Sequence, residues 1–259
     1  MSAKLPSSNK EYKDPRYWNE RFQQEDYYEW LVDYKEIKPA LFRILQNFYE
    51  NAKFLQLGCG NSNFGIDLYR EGFKDITNID ISEVCVEKMS NKYPQLQFQV
   101  MDMTKMEFSD DTFDVVIEKA SLDSLLVDSK SPWDCTSPGC LAVSKSLLEV
   151  KRVLKPHGVF VSITFSQPHF RVPLLAHKEL GWSIEVEKFS TSEGLLDYFL
   201  VVCQSGDPEG AVSRWCVPLP QDSPSQESPS NSSEADNEEF LLRVETSCFL
   251  TDTDTDSES

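Results

Sequence analysis

Histidine is almost missing from this chain, three residues in 259, and none stands at metal-ligand spacing from a cysteine. A structural zinc site needs four Cys or His ligands in closely spaced pairs, so Cys135 and Cys140 amount to half a site at best and no bound metal is expected. Also missing are an apolar run near the roughly 20 residues that span a bilayer and a hydrophobic targeting core at the amino terminus. A membrane partner is therefore not expected, and the cytoplasm is the expected compartment. Positive charge is in deficit, since 25 basic residues face 43 acidic ones for a formal charge of −18. Such a surface repels phosphate backbones and attracts basic partners, which argues against nucleic acid and allows a basic protein as ligand. The seven cysteines are odd in number and scattered, and they read as reduced thiols. Nothing flags an exposed apolar stripe, so a monomer is expected.

What is present falls into three parts. Residues 206–259 hold 13 acidic and 2 basic residues, so −11 of the −18 sits in a Ser-, Pro-, Asp- and Glu-rich tract expected to be disordered, interrupted by one apolar island, Phe240–Leu250. Residues 1–49 are aromatic-rich, frayed over the first ten and helical in parts. Residues 50–205 alternate short apolar runs with stretches of helical period, the pattern of a doubly wound α/β sheet. The strands are expected at 53–57, 76–80, 96–101, 113–118 and 159–165, with helices at 64–71, 83–92 (capped by Ser82) and 141–154. Two further runs, 183–189 and 195–203, are joined by a link too short for a parallel crossover, so they form an antiparallel hairpin at the end of the sheet.

The first strand runs from Phe54 straight into Gly58-Cys59-Gly60-Asn61-Ser62. A Gly-x-Gly turn at the carboxyl end of a first strand lets a ligand approach the backbone where such sheets bind ligands, although a glycine pair there is also an ordinary tight turn. Asp80 closes the second strand at the distance from Gly58 where an acid grips both ribose hydroxyls of a nucleoside. A dinucleotide fingerprint would add a glycine at position 63, but Asn63 stands there, which speaks against a nicotinamide oxidoreductase. At the end of the third strand, Asp102 can accept from an adenine amino group between apolar neighbours, or simply cap a loop.

With Leu57-Gly58-Cys59-Gly60, Ile79-Asp80 and Met101-Asp102 in order, the chain resembles the Class I, seven-stranded S-adenosylmethionine methyltransferases, a Rossmann-like fold. Gly58–Ser62, Phe113–Lys119, Leu122-Asp123, Tyr17-Trp18-Asn19-Glu20-Arg21-Phe22 and His169-Phe170-Arg171 are similar to the elongation factor 1-alpha lysine methyltransferase group over residues 12–203. The resemblance implies S-adenosyl-L-methionine as cofactor and a protein lysine, on elongation factor 1-alpha, as methyl acceptor. It implies cofactor contacts at Trp18, Phe22 and Trp30 from an amino-terminal cover over the site, and at Gly58, Gly60, Asp80, Ile81, Asp102, Met103 and Lys119. Phe22 replaces the commoner tyrosine, which removes a hydroxyl and keeps the stacking face. Trp18 and Trp30 also read as helix residues packing on the sheet.

For the acceptor, carboxylates at the cavity mouth would guide a cationic lysine, and Asp123 is the candidate for substrate positioning, with a helix-start carboxylate as the alternative. The fourth strand ends Glu118-Lys119-Ala120-Ser121 and lacks the Asn-Pro-Pro-aromatic tetrad of amide and exocyclic-amine methyltransferases, which disfavours glutamine and adenine. The rival readings are a catalytically silent methyltransferase-like scaffold and a small-molecule methyltransferase.

Overall fold

The computed structural model describes residues 6–48, 51–127, 129, 136–191 and 196–206. The tail from 207 onward, the Phe240–Leu250 island and residues 1–5 lie outside them. The sheet has seven strands in the order β3-β2-β1-β4-β5-β7-β6. They are β1 Lys53–Leu57, β2 Asp75–Asp80, β3 Gln97–Val100, β4 Phe113–Lys119, β5 Leu154–Thr164, β6 Trp182–Ser190 and β7 Asp197–Ser205. The first five pair in parallel, and β7 runs antiparallel between β5 and β6. This is the doubly wound sheet with a terminal hairpin that the patterning predicts. The order reverses between β1 and β4, which opens a crevice beyond their carboxyl ends, the place where such sheets take ligands.

Seven α-helices are described: α1 Pro15–Gln24, α2 Tyr34–Leu45, α3 Phe64–Arg70, α4 Glu83–Lys92, α5 Ser121–Leu125, α6 Pro138–Val153 and α7 Pro168–Leu175, with a 3-10 turn Asn9–Lys13 ahead of α1. Because strand side chains alternate faces, Phe54, Val115, Ile117 and Val161 meet Ile37, Leu41, Phe64 and Leu68 in one core layer. Leu55, Leu57, Val116 and Phe160 meet Val143, Leu147, Val150 and Trp182 in the other. Each fully buried residue of this kind is favoured by about 1.5–3 kcal/mol over its exposed state. A third, smaller cluster joins Phe22 of α1 to Cys85 and Met89 of α4, with Trp18 packed against it, and so fixes the amino-terminal segment against α4.

Most boundaries fall within two residues of the sequence reading, and three differ by more. Helix α6 starts at Pro138, not Leu141, because the Ser137 side chain accepts from the Cys140 N–H and proline suits the first helical position. Strand β5 starts at Leu154, not Val159. The Lys155–Gly158 tract, between the expected helix end at 154 and the expected strand start at 159, is an irregularity inside the strand, where pairing jumps from Phe113–Leu154 to Val115–Val159 and His157 takes φ 65°. The amino terminus is ordered earlier than residue 11, since Ser8 caps the 3-10 turn and Asn9 and Tyr12 are buried.

Candidate functional site

Beyond Leu57 the chain turns through Gly58 and Gly60, both at φ +54°, a conformation costly for side chains with a Cβ. The Cys59 N–H donates to the Ile79 carbonyl at 3.0 Å, which ties the turn to β2. At the end of β2, the Asp80 carboxylate accepts from the Gly60 N–H at 2.8 Å and the Ser82 N–H at 2.9 Å, one bond to each oxygen. Burial raises its pKa while those two N–H groups pull it back down. The carboxylate is thus fixed in place, and each oxygen keeps a lone pair for a ligand.

The room left by the two glycines is used mainly by the protein. A Cβ on Gly58 would lie 2.9 Å from the Ser121 Cβ. Ser121 approaches that closely because its hydroxyl donates to the Leu57 carbonyl at 2.9 Å. At Gly60 the nearest atom is the Phe22 ring, 3.7 Å away. A glycine that brings helix and sheet together does exist, but it is Gly65, whose added Cβ would meet Asn78 Oδ1 at 2.6 Å. It stands two places beyond the dinucleotide position, and the sequence reading missed it.

The amino-terminal segment lies over this turn. Trp18 stacks on Phe22 with centroids 5.6 Å apart and meets Trp30 edge-on at 6.0 Å, and its indole N–H donates to the Tyr12 carbonyl at 2.7 Å. Residues after the turn hold the segment down. Asn61 Nδ2 donates to the Glu25 carbonyl at 3.3 Å, the Ser62 hydroxyl to Glu29 at 2.7 Å, and the Asn63 N–H to Glu29 at 3.3 Å. From the end of β4, the Lys119 ammonium donates to Glu29, to the Trp30 carbonyl at 2.7 Å and to the Val32 carbonyl at 3.3 Å. The Asn61-Ser62-Asn63 tract therefore serves as the receptor for Glu25 and Glu29, two residues that sequence reasoning passed over. Helix α1 ends at Gln24, so both lie in a non-helical segment whose local pattern does not set them apart from surface acids.

Between the cover and the sheet lies a cavity of about 160 Å³. Trp18, Phe22 and Trp30 line it from the cover, Gly58 and Gly60 from the turn, and Asp80 and Ile81 from the end of β2. Asp102 and Met103 follow β3, and Lys119 closes β4, so all ten predicted contact positions meet at one cavity. Asp102 is exposed and accepts from the Thr104 N–H at 2.8 Å, so it caps a turn and lines the cavity at once. Lys119 lines the wall while its three protons are taken by the cover.

Asp123 also lines the cavity. It sits in the first turn of α5, as the alternative reading had it, yet its carboxylate points into a buried network. It accepts from the Thr164 hydroxyl at 2.9 Å and pairs with Arg171, a side chain with no solvent exposure. Beneath it, and outside the cavity wall, Glu118 accepts from the Ser162 hydroxyl and from the Leu122 N–H at 3.2 Å, which caps α5. Burial raises the Glu118 carboxyl to about 7; Arg171 acts to lower it and Asp123 to raise it further. Burial likewise raises Asp123, against the pull of Arg171 and Thr164. Arg171, from the His169-Phe170-Arg171 tract, is the partner that the sequence did not connect to Asp123.

A methyltransferase-domain family matches residues 48–196. EEF1A lysine methyltransferase 4 of Bos taurus is 38% identical over 186 residues, which span 70% of this chain and 72% of that protein. The eEF1A lysine and N-terminal methyltransferase of Homo sapiens is 35% identical over 196 residues, 73% of this chain but 27% of that longer protein. Among solved structures, the N-methyltransferase NodS from Bradyrhizobium japonicum, in complex with S-adenosyl-L-homocysteine, superposes with a TM-score of 0.56 at 14% identity, covering 76% of this chain and 99% of NodS, a likeness of fold. By the length of the matched domain and the identity to these relatives, the chain belongs to the methyltransferase family, on the branch of the EEF1A lysine methyltransferases.

Proposed function

We propose that this protein transfers a methyl group from S-adenosyl-L-methionine to a lysine amine of a protein, and that the protein is translation elongation factor 1-alpha. The observation that carries the reading is the cavity itself, which joins a fixed buried carboxylate at the end of β2 to an aromatic cover at the switch point of the sheet, in a chain of this family. The residues present fit such a cofactor. Asp80 offers an acceptor on each oxygen for paired ribose hydroxyls, Ile81 and Met103 offer apolar faces for an adenine, and Asp102 offers an acceptor for its amino group. The stacked Trp18 and Phe22 close the site over the glycine turn.

When bound, the cofactor supplies a methyl group already activated on a sulfonium, which leaves its sulfur as the bond to the acceptor nitrogen forms. The protein's part is alignment and exclusion of water. The acceptor must lose a proton before it can attack, and the apolar, covered cavity disfavours the ammonium form. Asp123, held by Arg171 and Thr164, is a positioning carboxylate on the acceptor side of the cavity. Lys119 acts through the cover that it pins, since its ammonium donates to Glu29 and to two carbonyls.

The test is transfer of labelled methyl to purified elongation factor 1-alpha, with the product located by mass spectrometry. Asp80→Ala removes two charge-assisted hydrogen bonds of about 1.5–3 kcal/mol each, so cofactor affinity should fall by at least roughly 100-fold and labelling with it. Lysine labelling unchanged in the variant overturns the assignment of Asp80. Tight cofactor binding with no transfer to this acceptor overturns the substrate.

A further inference from the structure

Two of the scattered cysteines come together behind the glycine turn. Cys59, inside the turn, and Cys85, in the first turn of α4, bring their Sγ atoms and a carboxylate oxygen of Asp80 within 4.8 Å of one another. All three residues are buried. The backbone fixes each donor: the Cys59 N–H donates to the Ile79 carbonyl at 3.0 Å, the Cys85 N–H to the Ser82 hydroxyl at 3.2 Å, and Asp80 accepts from Gly60 and Ser82. Cys59 and Asp80 line the cavity, which gives an ion a way in, whereas Cys85 is not among the lining residues.

Two thiolates and a carboxylate are the donor set that thiophilic d10 cations prefer over the magnesium and calcium class. Bond lengths of about 2.3 Å to sulfur and 2.0–2.2 Å to oxygen in a tetrahedral site place the donors roughly 3.5–3.8 Å apart. The cluster therefore needs to contract by roughly 1.3 Å at most to hold such an ion.

We propose that Cys59, Cys85 and Asp80 form a binding site for a thiophilic divalent cation of the zinc and cadmium class, and that its occupancy and cofactor binding exclude each other. On binding, the two thiols release their protons to solvent and the ion is held by two thiolates and one carboxylate, a complex of net charge −1. The exclusion rests on the reading of Asp80 as the ribose-binding carboxylate, because the ion draws that same carboxylate to itself.

The test uses the full chain and Cd²⁺ as probe, with uptake followed by the ultraviolet thiolate-to-cadmium absorption, with and without saturating S-adenosylhomocysteine. The other thiols also take up cadmium, so the reading is a difference. Wild type should bind one equivalent more than Cys85→Ser, and S-adenosylhomocysteine should suppress that equivalent. Cadmium at ten times its dissociation constant should weaken S-adenosylhomocysteine binding about tenfold in wild type and leave it unchanged in Cys85→Ser. Cys85→Ala serves as a second variant should the buried hydroxyl disturb the core, and if neither variant binds the cofactor, the mutual suppression measured in wild type decides. Equal uptake by wild type and both variants, or cofactor binding indifferent to cadmium in wild type, overturns the proposal. Asp80→Asn without cadmium tests the ribose reading separately, since unchanged cofactor affinity there sinks that reading while Cys85-dependent uptake still reports the cation site.

Discussion

Lys119 and Arg171 are both buried cations paired to a carboxylate, and each pair reaches the cavity wall through one member, Lys119 itself in the first and Asp123 in the second, but their surroundings differ. The Lys119 ammonium meets Glu29 and two carbonyls, one acceptor for each proton, and Glu29 also accepts from Ser62 and Asn63. Arg171 meets Asp123 and Thr164 through a single nitrogen, and its Nε and Nη1 have no partner among the described residues. Glu118 adds a second carboxylate to the same guanidinium. A buried ion pair gives little net stability because desolvation offsets its attraction. What distinguishes the two is completeness: the first is a satisfied latch that joins the cover to β4, and the second is an under-satisfied network that holds one carboxylate against the cavity.

The largest expected effect follows from that difference. Arg171→Met leaves Asp123 and Glu118 buried without their cation and should cost about 3–5 kcal/mol in urea unfolding. Lys119→Met should cost less, because Glu29 keeps the Ser62 and Asn63 donors and is partly reachable by water. The opposite order would break the comparison. Next comes pH. In the fold, Glu118 holds its proton up to about 7, whereas the unfolded chain releases it near the ordinary value of 4.5. Its contribution is therefore fully present below about pH 4.5, declines as pH rises and is lost above about pH 7, a loss on the order of 3 kcal/mol. Glu118→Gln should flatten that decline in unfolding free energies measured from pH 5 to 8; an unchanged slope would mean that Arg171 already keeps Glu118 ionised. The smallest effect concerns Ala120, which links the two pairs between β4 and α5 and takes φ 64°. Ala120→Gly should stabilise by about 1 kcal/mol, read as a raised melting temperature; no gain would mean that the strain is relieved elsewhere.

Legibility followed the range of the interaction. The apolar runs that became β1, β2 and β4 were readable because burial on both faces of a parallel strand leaves no polar alternation to confuse them. Gly58, Gly60 and Asp80 were readable because a turn and a strand end are local events. The start of β5 was hidden because its first residues are paired across an irregularity that only β4 defines. Glu29 and Arg171 were hidden because an acid in an aromatic segment and an arginine after Phe170 look like surface residues until the fold brings Lys119 and Asp123 to them.

The sequence by itself determined the α/β alternation, the terminal hairpin and the glycine turn and strand-end acids that meet at the cavity, since hydrophobic period and turn chemistry act over a few residues at a time. Trp18, Phe22, Trp30, Ile81, Met103 and Lys119, by contrast, were implied only by the family resemblance. The tertiary structure decided what each charged group does there. Whether Lys119 faces a ligand or the cover, whether Asp123 is free or paired, and whether Cys59 and Cys85 lie apart or side by side depend on contacts between distant segments. Coulombic and desolvation energies are set by those distances and by burial, and neither is written in the order of the residues.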